Sequence, residues 1–532
     1  MQNNTKNILF VIPPVTPANE KIKKNLASYK EIPLGILSLS TYLEKNSTKD
    51  IRIEVLDLNV VETTNYKKVV CDTLERFQPY LVGISGLFTS MFNTLNEFSA
   101  YIKEKSPDVL LVTGGNISTN CYEQLFRYNK DIDGACYSEG EKPLLHLVEA
   151  DDPFEVLESH PSWITENSLK RGKQVTPTFI QNLDDIPPLD FSFVNLSEYD
   201  SRCRNNNPIS HTEEHALRLP FVTTRGCPFD CVFCAASSLS GNKVRFMSAE
   251  RVISDIKRAK DKYKMTKLVI NDDQALINRE RIKKILMAVE DLDLVVEFPS
   301  GLNVKFIDEE IAGLLKRAGL EVANLAIESG SEYVLKEIIG KPLKLDDIRP
   351  AVEALRKNGL LVHAFFIFGF PTEREEDREA TVRLIKEIGF DWSNIYAAAP
   401  IRGSRLYKIC VEKGYIVNDN DLLQANIYES MIRTSEVDPA VITKFIYHVN
   451  LDVNFVNNYR MKINDYEIAK GYFDNVAINH PTHAFAHYFL AQALEKLNAP
   501  KSLIEKHMDN FYDIVNSDLG WEEYAREFKL IL

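Results

Sequence analysis

The chain of 532 residues lacks any apolar run long enough to cross a bilayer; stretches such as residues 360–370 fall short of the ~20 residues a spanning helix needs. Its first residues also lack the look of a secretory signal, because residues 1–7 lead into a short apolar run that ends at Pro13-Pro14. A cytoplasmic protein with reduced thiols is expected. Positive charge is in short supply: 63 Lys and Arg against 76 Asp and Glu leave a formal net charge of -13. Such a balance repels a phosphate backbone and argues against a nucleic-acid partner. Histidine is scarce, and none precedes His146. Of eight cysteines, five (Cys71, Cys121, Cys136, Cys203 and Cys410) are scattered singly and read as small buried hydrophobes. The length calls for two to four domains, each with its own core.

The remaining cysteines lie together in Thr224-Arg225-Gly226-Cys227-Pro228-Phe229-Asp230-Cys231-Val232-Phe233-Cys234. Three thiols at C-x-x-x-C-x-x-C spacing can converge on one soft metal centre, and thiolates are the usual ligands of iron–sulfur clusters. A zinc site would need a fourth ligand, and no second Cys or His pair follows at zinc spacing. A disulfide framework fits badly with an odd set of three. The cluster reading is favoured, and three ligands leave one iron of a four-iron cluster open to a substrate.

This run resembles the signature of the radical S-adenosylmethionine (SAM) enzymes. The resemblance implies that Cys227, Cys231 and Cys234 hold a 4Fe-4S cluster whose open iron is chelated by SAM. An electron from the cluster then cleaves SAM to a 5'-deoxyadenosyl radical that abstracts hydrogen from substrate. Phe233, the aromatic before the last cysteine, also matches the family pattern.

Upstream, apolar runs at residues 7–13, 51–56, 81–86 and 109–115 alternate with helical periodicity at 34–43 and 92–102. Strands alternating with helices predict a doubly wound, Rossmann-like parallel sheet with its ligand at the strand carboxyl ends. Residues 1–150 resemble the cobalamin (B12)-binding domain that precedes many radical SAM domains. The supporting stretches are Ile32-Pro33-Leu34-Gly35, Gly83-Ile84-Ser85-Gly86, Thr113-Gly114-Gly115 and Ser138-Glu139-Gly140-Glu141. They imply cobalamin contacts at Pro33, Leu34, Gly35, Ser85, Gly86, Gly114, Gly115, Glu139 and Gly140. Methionine synthase and the mutases carry D-x-H-x-x-G after the first strand, with its histidine on cobalt. No histidine stands there in this chain, so the lower axial position is expected to lack one, which eases reduction to Co(I).

Residues 151–216 are proline-rich with little periodicity and are expected to be a linker. His211 and His215, four apart without a third ligand, read as a solvated pair. From 217 to 415, strand-like runs at 220–224, 267–270, 294–297, 322–327, 362–368 and 395–399 alternate with helices. This pattern fits the partial (β/α)6 barrel of radical SAM enzymes, with chemistry at the strand carboxyl ends. Four stretches there resemble the family's SAM-binding pattern: Asn271-Asp272-Asp273, Glu328-Ser329-Gly330-Ser331, Phe368-Gly369-Phe370-Pro371-Thr372-Glu373 and Ala399-Pro400-Ile401-Arg402-Gly403-Ser404. The resemblance implies SAM contacts at Phe233, Asp272, Asp273, Glu328, Ser329, Gly369, Pro400 and Ile401. His363, on the fifth of these strands, is expected to be packed rather than catalytic.

Residues 416–532 turn helical, and 465–477 with 482–497 resemble one tetratricopeptide hairpin, expected to serve as a cap. The expected function is cobalamin-dependent radical SAM methyl transfer. By resemblance, one SAM methylates Co(I) and a second supplies the radical. The methyl goes to an unactivated carbon or phosphinate phosphorus of a small-molecule, lipid or peptide substrate, with a flavodoxin- or ferredoxin-type reductase supplying electrons. The alternatives are a cyclase or ring-rearranging enzyme of the same architecture, methylthio transfer to transfer RNA, and a non-enzymatic cobalamin sensor. Methylthio transfer would need additional cluster cysteines, and Cys71, Cys121 and Cys136 show no such arrangement; the sensor leaves the cysteine run unexplained.

Overall fold

The computed structural model describes residues 5–15, 31–61, 65–199, 217–416 and 427–532; Cys203, His211 and His215 lie outside them. The first unit is one sheet of six strands: β1 (Lys6–Ile12), β2 (Ile51–Asp57), β3 (Leu81–Ser85), β4 (Leu110–Gly114), β5 (Gly134–Cys136) and β6 (Trp163–Ile164). Their order is β2-β1-β3-β4-β5-β6, with the first five parallel and β6 antiparallel to β5. Both faces are covered. Leu9 and Val11 pack with Leu74 and Phe98 on one side, while Ile8, Phe10 and Ile12 pack with Leu43 and Leu147 on the other. A strand buried on both faces reads as the continuous apolar run seen in the sequence. The 2-1-3-4-5 order places the switch of winding direction between β1 and β3, where a ligand crevice opens at the carboxyl ends.

The 151–216 stretch differs from a plain linker. Its first part supplies β6 and so finishes the first sheet. Two residues are too few for a readable period, which is why the sequence shows only prolines there. Beyond it, Ile180, Leu183 and Ile186 pack on Tyr42, while Phe191 and Tyr199 join the core of the second unit. Residues 151–199 form a strap fastened to both units.

The second unit carries β7 (Arg218–Phe221), a short antiparallel pair β8 (Thr224–Arg225) and β9 (Arg245–Phe246), then β10 (Lys267–Ile270), β11 (Val295–Glu297), β12 (Val322–Glu328), β13 (Leu361–Phe368) and β14 (Trp392–Ala397). β7, β10 and β11 form one parallel sheet and β12, β13 and β14 another. Parallel bridges Val296–Leu320 and Leu302–Leu325 join them into a six-stranded partial barrel in chain order.

The helices Tyr466–Asn479, Ala484–Lys496, Lys501–Ser517 and Leu519–Glu527 pack a third core of aromatic side chains, including Tyr472, Phe473, Phe485 and Phe511. Leu361 and Trp392 belong to this core, with Val322 packed against it. These are the first residues of three barrel strands, so the helices close the amino-terminal end, opposite the strand ends where barrels bind ligands. His363 is 3% exposed, and its Nε2 lies 2.7 Å from the Tyr472 hydroxyl. It is a packing residue joining barrel to helices.

Burial lowers the His363 imidazole from its ordinary 6.5 to about 3, and His483 likewise. A base depressed in the folded state contributes stability that is complete above about pH 6.5 and lost as pH falls below it. Urea unfolding midpoints should therefore drop between pH 7.5 and 5, and His363→Gln should show a shallower drop. An equal drop in the variant would exclude His363 as a source.

Candidate functional site

The carboxyl ends of the first sheet and of the β7-β10-β11 side of the barrel line a cavity of about 730 Å³. One wall comes from the first sheet: Ile12, Ser85, Gly114, Gly115, Cys136 and Ser138. The other comes from the barrel: Pro220, Val222, Thr224, Asn271, Asp273 and Pro299. Arg218, Pro220 and Phe221 of β7 line it as well, with Val222 just beyond the strand.

All the expected cobalamin-binding residues line this cavity except Gly86. Gly86 instead packs backbone on backbone with β4: its N–H donates to the Gly114 carbonyl at 2.9 Å, and its own carbonyl accepts from Ile117. Gly115 sits at φ +96°, and a Cβ on it would come within 2.9 Å of the Gly86 oxygen, so only glycine fits. Gly35 and Gly114 are different. No atom lies within 4 Å of a Cβ built on either, so both open into the cavity and give a bulky ligand a smooth floor. That floor suits a corrin. Among the described residues no histidine lines the cavity, and the His146 ring packs on His160 instead. Glu139 walls the cavity, but its oxygens are already bound, by Arg245 and by the Ile180 N–H.

The cysteine loop stands at the mouth of the barrel, pinned on both sides. The Cys227 N–H donates to the Gly241 carbonyl (3.2 Å) and the Val232 N–H to the Ile339 carbonyl (2.8 Å), while the Val232 carbonyl accepts from Leu406 (2.7 Å). Gly226 has φ +95°, and a Cβ there would lie 2.4 Å from the Lys243 oxygen. Burial raises all three thiols, Cys231 to about 12, and each of the later two feels its neighbours' charge. Such thiols need a cationic partner to be thiolates at neutral pH. Among the described residues, no three metal-ligating side chains close round a single ion. Three thiols near enough to feel one another's charge suit a cluster taking one thiolate per iron.

The expected SAM-binding residues divide. Asp273 lines the cavity and accepts from the Gly226 N–H. Asp272 turns away, accepting from the Thr223 N–H and hydroxyl (both 2.5 Å) and from the Thr224 N–H (3.0 Å), so it braces the entry to the cysteine loop. Ser329 is fully buried against Thr381. Glu328, at φ +74°, pairs with Lys341 Nζ at 2.9 Å. The Phe233 ring lies 6.2 Å from that of Phe370, beside Gly369. The Gly369 N–H donates to Glu373, a buried carboxyl pushed up to about 8 by desolvation. Ile401 N–H bonds the Ala399 carbonyl in the turn after β14, and Pro400 is buried there.

Sequence reasoning missed Lys341 and the partners of Glu139. Lys341 follows a π-helical turn (Val334–Ile339) and is brought to the cysteine loop by the Ile339–Val232 bond. No local pattern marks it. Arg225 and Glu141 were visible, one inside the cysteine run and the other in the Ser138–Glu141 stretch, yet nothing in the sequence pairs them. Arg225 Nη2 donates to Glu141 Oε1 at 2.6 Å, and Ser38 donates to the same oxygen at 2.7 Å.

The radical SAM superfamily model matches residues 221–385, and the B12 binding domain model matches residues 24–148. The chain is a radical SAM enzyme with a B12-binding domain. Its cofactors are a 4Fe-4S cluster, SAM and cobalamin. It is 27% identical over 417 residues to the uncharacterized methyltransferase PH0819 of Pyrococcus horikoshii, covering 78% of this chain and 85% of that one. It is 24% identical over 466 residues to the cytidylyl-2-hydroxyethylphosphonate methyltransferase of Streptomyces wedmorensis, covering 79% and 86%. Its fold matches that of the cobalamin-dependent SAM radical enzyme OxsB, solved with aqua-cobalamin and SAM bound. The TM-score is 0.63 at 15% identity, covering 99% of this chain and 82% of that one.

The enzyme's two cofactor sites should be separable. Changing Cys227, Cys231 and Cys234 together to Ala should abolish the about four irons per chain that one such site holds, leaving cobalamin binding intact. Gly114→Phe should do the reverse by filling the cavity floor. Iron assay and the cobalamin spectrum of purified protein check this, and loss of both cofactors in both variants would contradict separate sites.

Proposed function

We propose that the enzyme transfers a methyl group from SAM, by way of cobalamin, to an unactivated carbon or phosphinate phosphorus of a small-molecule, lipid or peptide substrate. The observation that carries this reading is the single cavity walled by both Gly114-Gly115 of the first sheet and Asn271 and Asp273 of the barrel. Two cofactors held at facing strand ends can act on one substrate without it leaving. When bound, the cluster supplies the electron that cleaves SAM, and cobalamin carries the methyl group.

The chain's own residues hold, orient and keep dry. Cys227, Cys231 and Cys234 would ligate the cluster. Asp273 presents a carboxylate toward the cavity and suits the SAM ammonium, whereas Asp272 fixes the loop behind it. Glu328, Gly369, Pro400 and Ile401, with Phe233 against Phe370, would seat the nucleoside, while Ser329 is held against Thr381. Pro33, Leu34, Gly35, Ser85, Gly114, Gly115 and Gly140 would cradle the corrin. Phe10, Ile12, Leu87, Phe88 and Met91 make the lining largely apolar, which excludes the water that quenches reactive species. Electrons come from a flavodoxin- or ferredoxin-type reductase in this reading. No helix among the described residues is long and apolar enough to cross a membrane.

With the true substrate, each methylated product should be accompanied by about one S-adenosylhomocysteine and one 5'-deoxyadenosine, since polar methyl loading and reductive cleavage consume SAM differently. Label on the SAM methyl group should appear in the product. Deoxyadenosine formed with substrate turnover but no methylated product would move the assignment to a cyclase or ring-rearranging enzyme.

A further inference from the structure

We infer that Glu139 and Glu141 are positioning residues that set where the cluster loop stands relative to the cobalamin cavity, acting through Arg225 and Arg245. Glu139 sits in the loop after β5 and Glu141 opens the helix Glu141–Glu149 that follows, and both wall the cavity. Both guanidiniums belong to the second unit, one on each strand of the β8–β9 pair that opens the cysteine loop. Arg245 grips Glu139 with two bonds (2.6 and 3.0 Å), and Arg225 bonds Glu141 at 2.6 Å while lying 3.5 Å from Glu139. Glu139, Glu141 and Arg245 are each less than a tenth exposed. Two carboxylates against two guanidiniums leave the set electrically balanced, and forked guanidinium bonds fix direction as well as distance.

Two features separate this from simple domain glue. Only Gly226 stands between Arg225 and Cys227, and its surroundings are closed by the oxygens of Lys243, Ser240 and Gly241. A shift of Arg225 is therefore passed to Cys227 rather than absorbed. The carboxylates themselves line the cavity, so whatever seats there rests against the groups that hold the cluster loop. Backbone ties reinforce the contact: Arg245 also donates to the carbonyls of Ile180 (2.7 Å) and Ser240 (2.8 Å), and the Ser138 hydroxyl donates to the Leu239 carbonyl.

The inference rests on the proposed function only in its turnover readout. In reconstituted full-length protein, Glu141→Gln should still bind iron and cobalamin. The electron paramagnetic resonance (EPR) g-values of its reduced cluster with SAM should shift. Deoxyadenosine released per methylated product should rise about tenfold, within the ~10²-fold that an ångström of misplacement costs. Arg225→Lys, which keeps the charge, should shift both readouts less than Arg225→Gln. Wild-type g-values and an unchanged ratio in Glu141→Gln, with only a lower melting temperature, would overturn the inference. Should Glu141→Gln fail to fold, Ser38→Ala removes only the hydroxyl bonded to Glu141 and is judged by the same two readouts in the same way. A wild type that makes no methylated product would sink the proposed function instead, and the g-values alone would then decide this inference.

Discussion

A parallel sheet offers its ligand crevice only at the carboxyl ends of its strands. In the proposed reading one cofactor site stands on the first sheet and the other on the barrel, and carboxyl ends of both line one cavity. The other features of this structure follow from that arrangement. The strap from 165 to 199 runs back over both units, tying Tyr42 of the first to the core of the second through Phe191 and Tyr199. The Ser138–Glu141 loop meets the β8–β9 pair directly at the seam. The helical bundle must go elsewhere, and it seals the barrel at the starts of β12, β13 and β14.

Charge burial at the seam would be costly if incomplete. Burial alone would raise the Glu141 carboxyl, yet Arg225 and Ser38 outweigh it and hold the group below its ordinary range. Removing one partner from such a set costs about 3–5 kcal/mol, because the remaining charge is stranded. A domain contact built this way tolerates little sliding, whereas an apolar contact of the same area would accept many nearby arrangements. The seam thus exchanges adaptability for a fixed approach of the two facing sites.

Much of this was legible in the residues, for reasons that can be named. Strands buried on both faces show as largely apolar runs, so β1, β3 and β4 stand out. The cysteine spacing is a chemical pattern independent of fold. What could not be read is contact across distance. Glu139 and Arg245 are more than a hundred residues apart. β6 is two residues long, and Lys341 lies in a turn with no repeating pattern. The helices after 439 announce their type by periodicity, but periodicity does not say which end of a barrel they close.

The central claim is that cobalamin and the cluster share one chamber between the first sheet and the barrel. Pulsed EPR on protein holding both Co(II) cobalamin and the reduced cluster tests it most directly, because dipolar coupling between two paramagnets falls steeply with separation. A shared chamber predicts strong mutual broadening that disappears in Gly114→Phe protein lacking cobalamin. Two unperturbed signals, as from centres on opposite sides of the molecule, would contradict it.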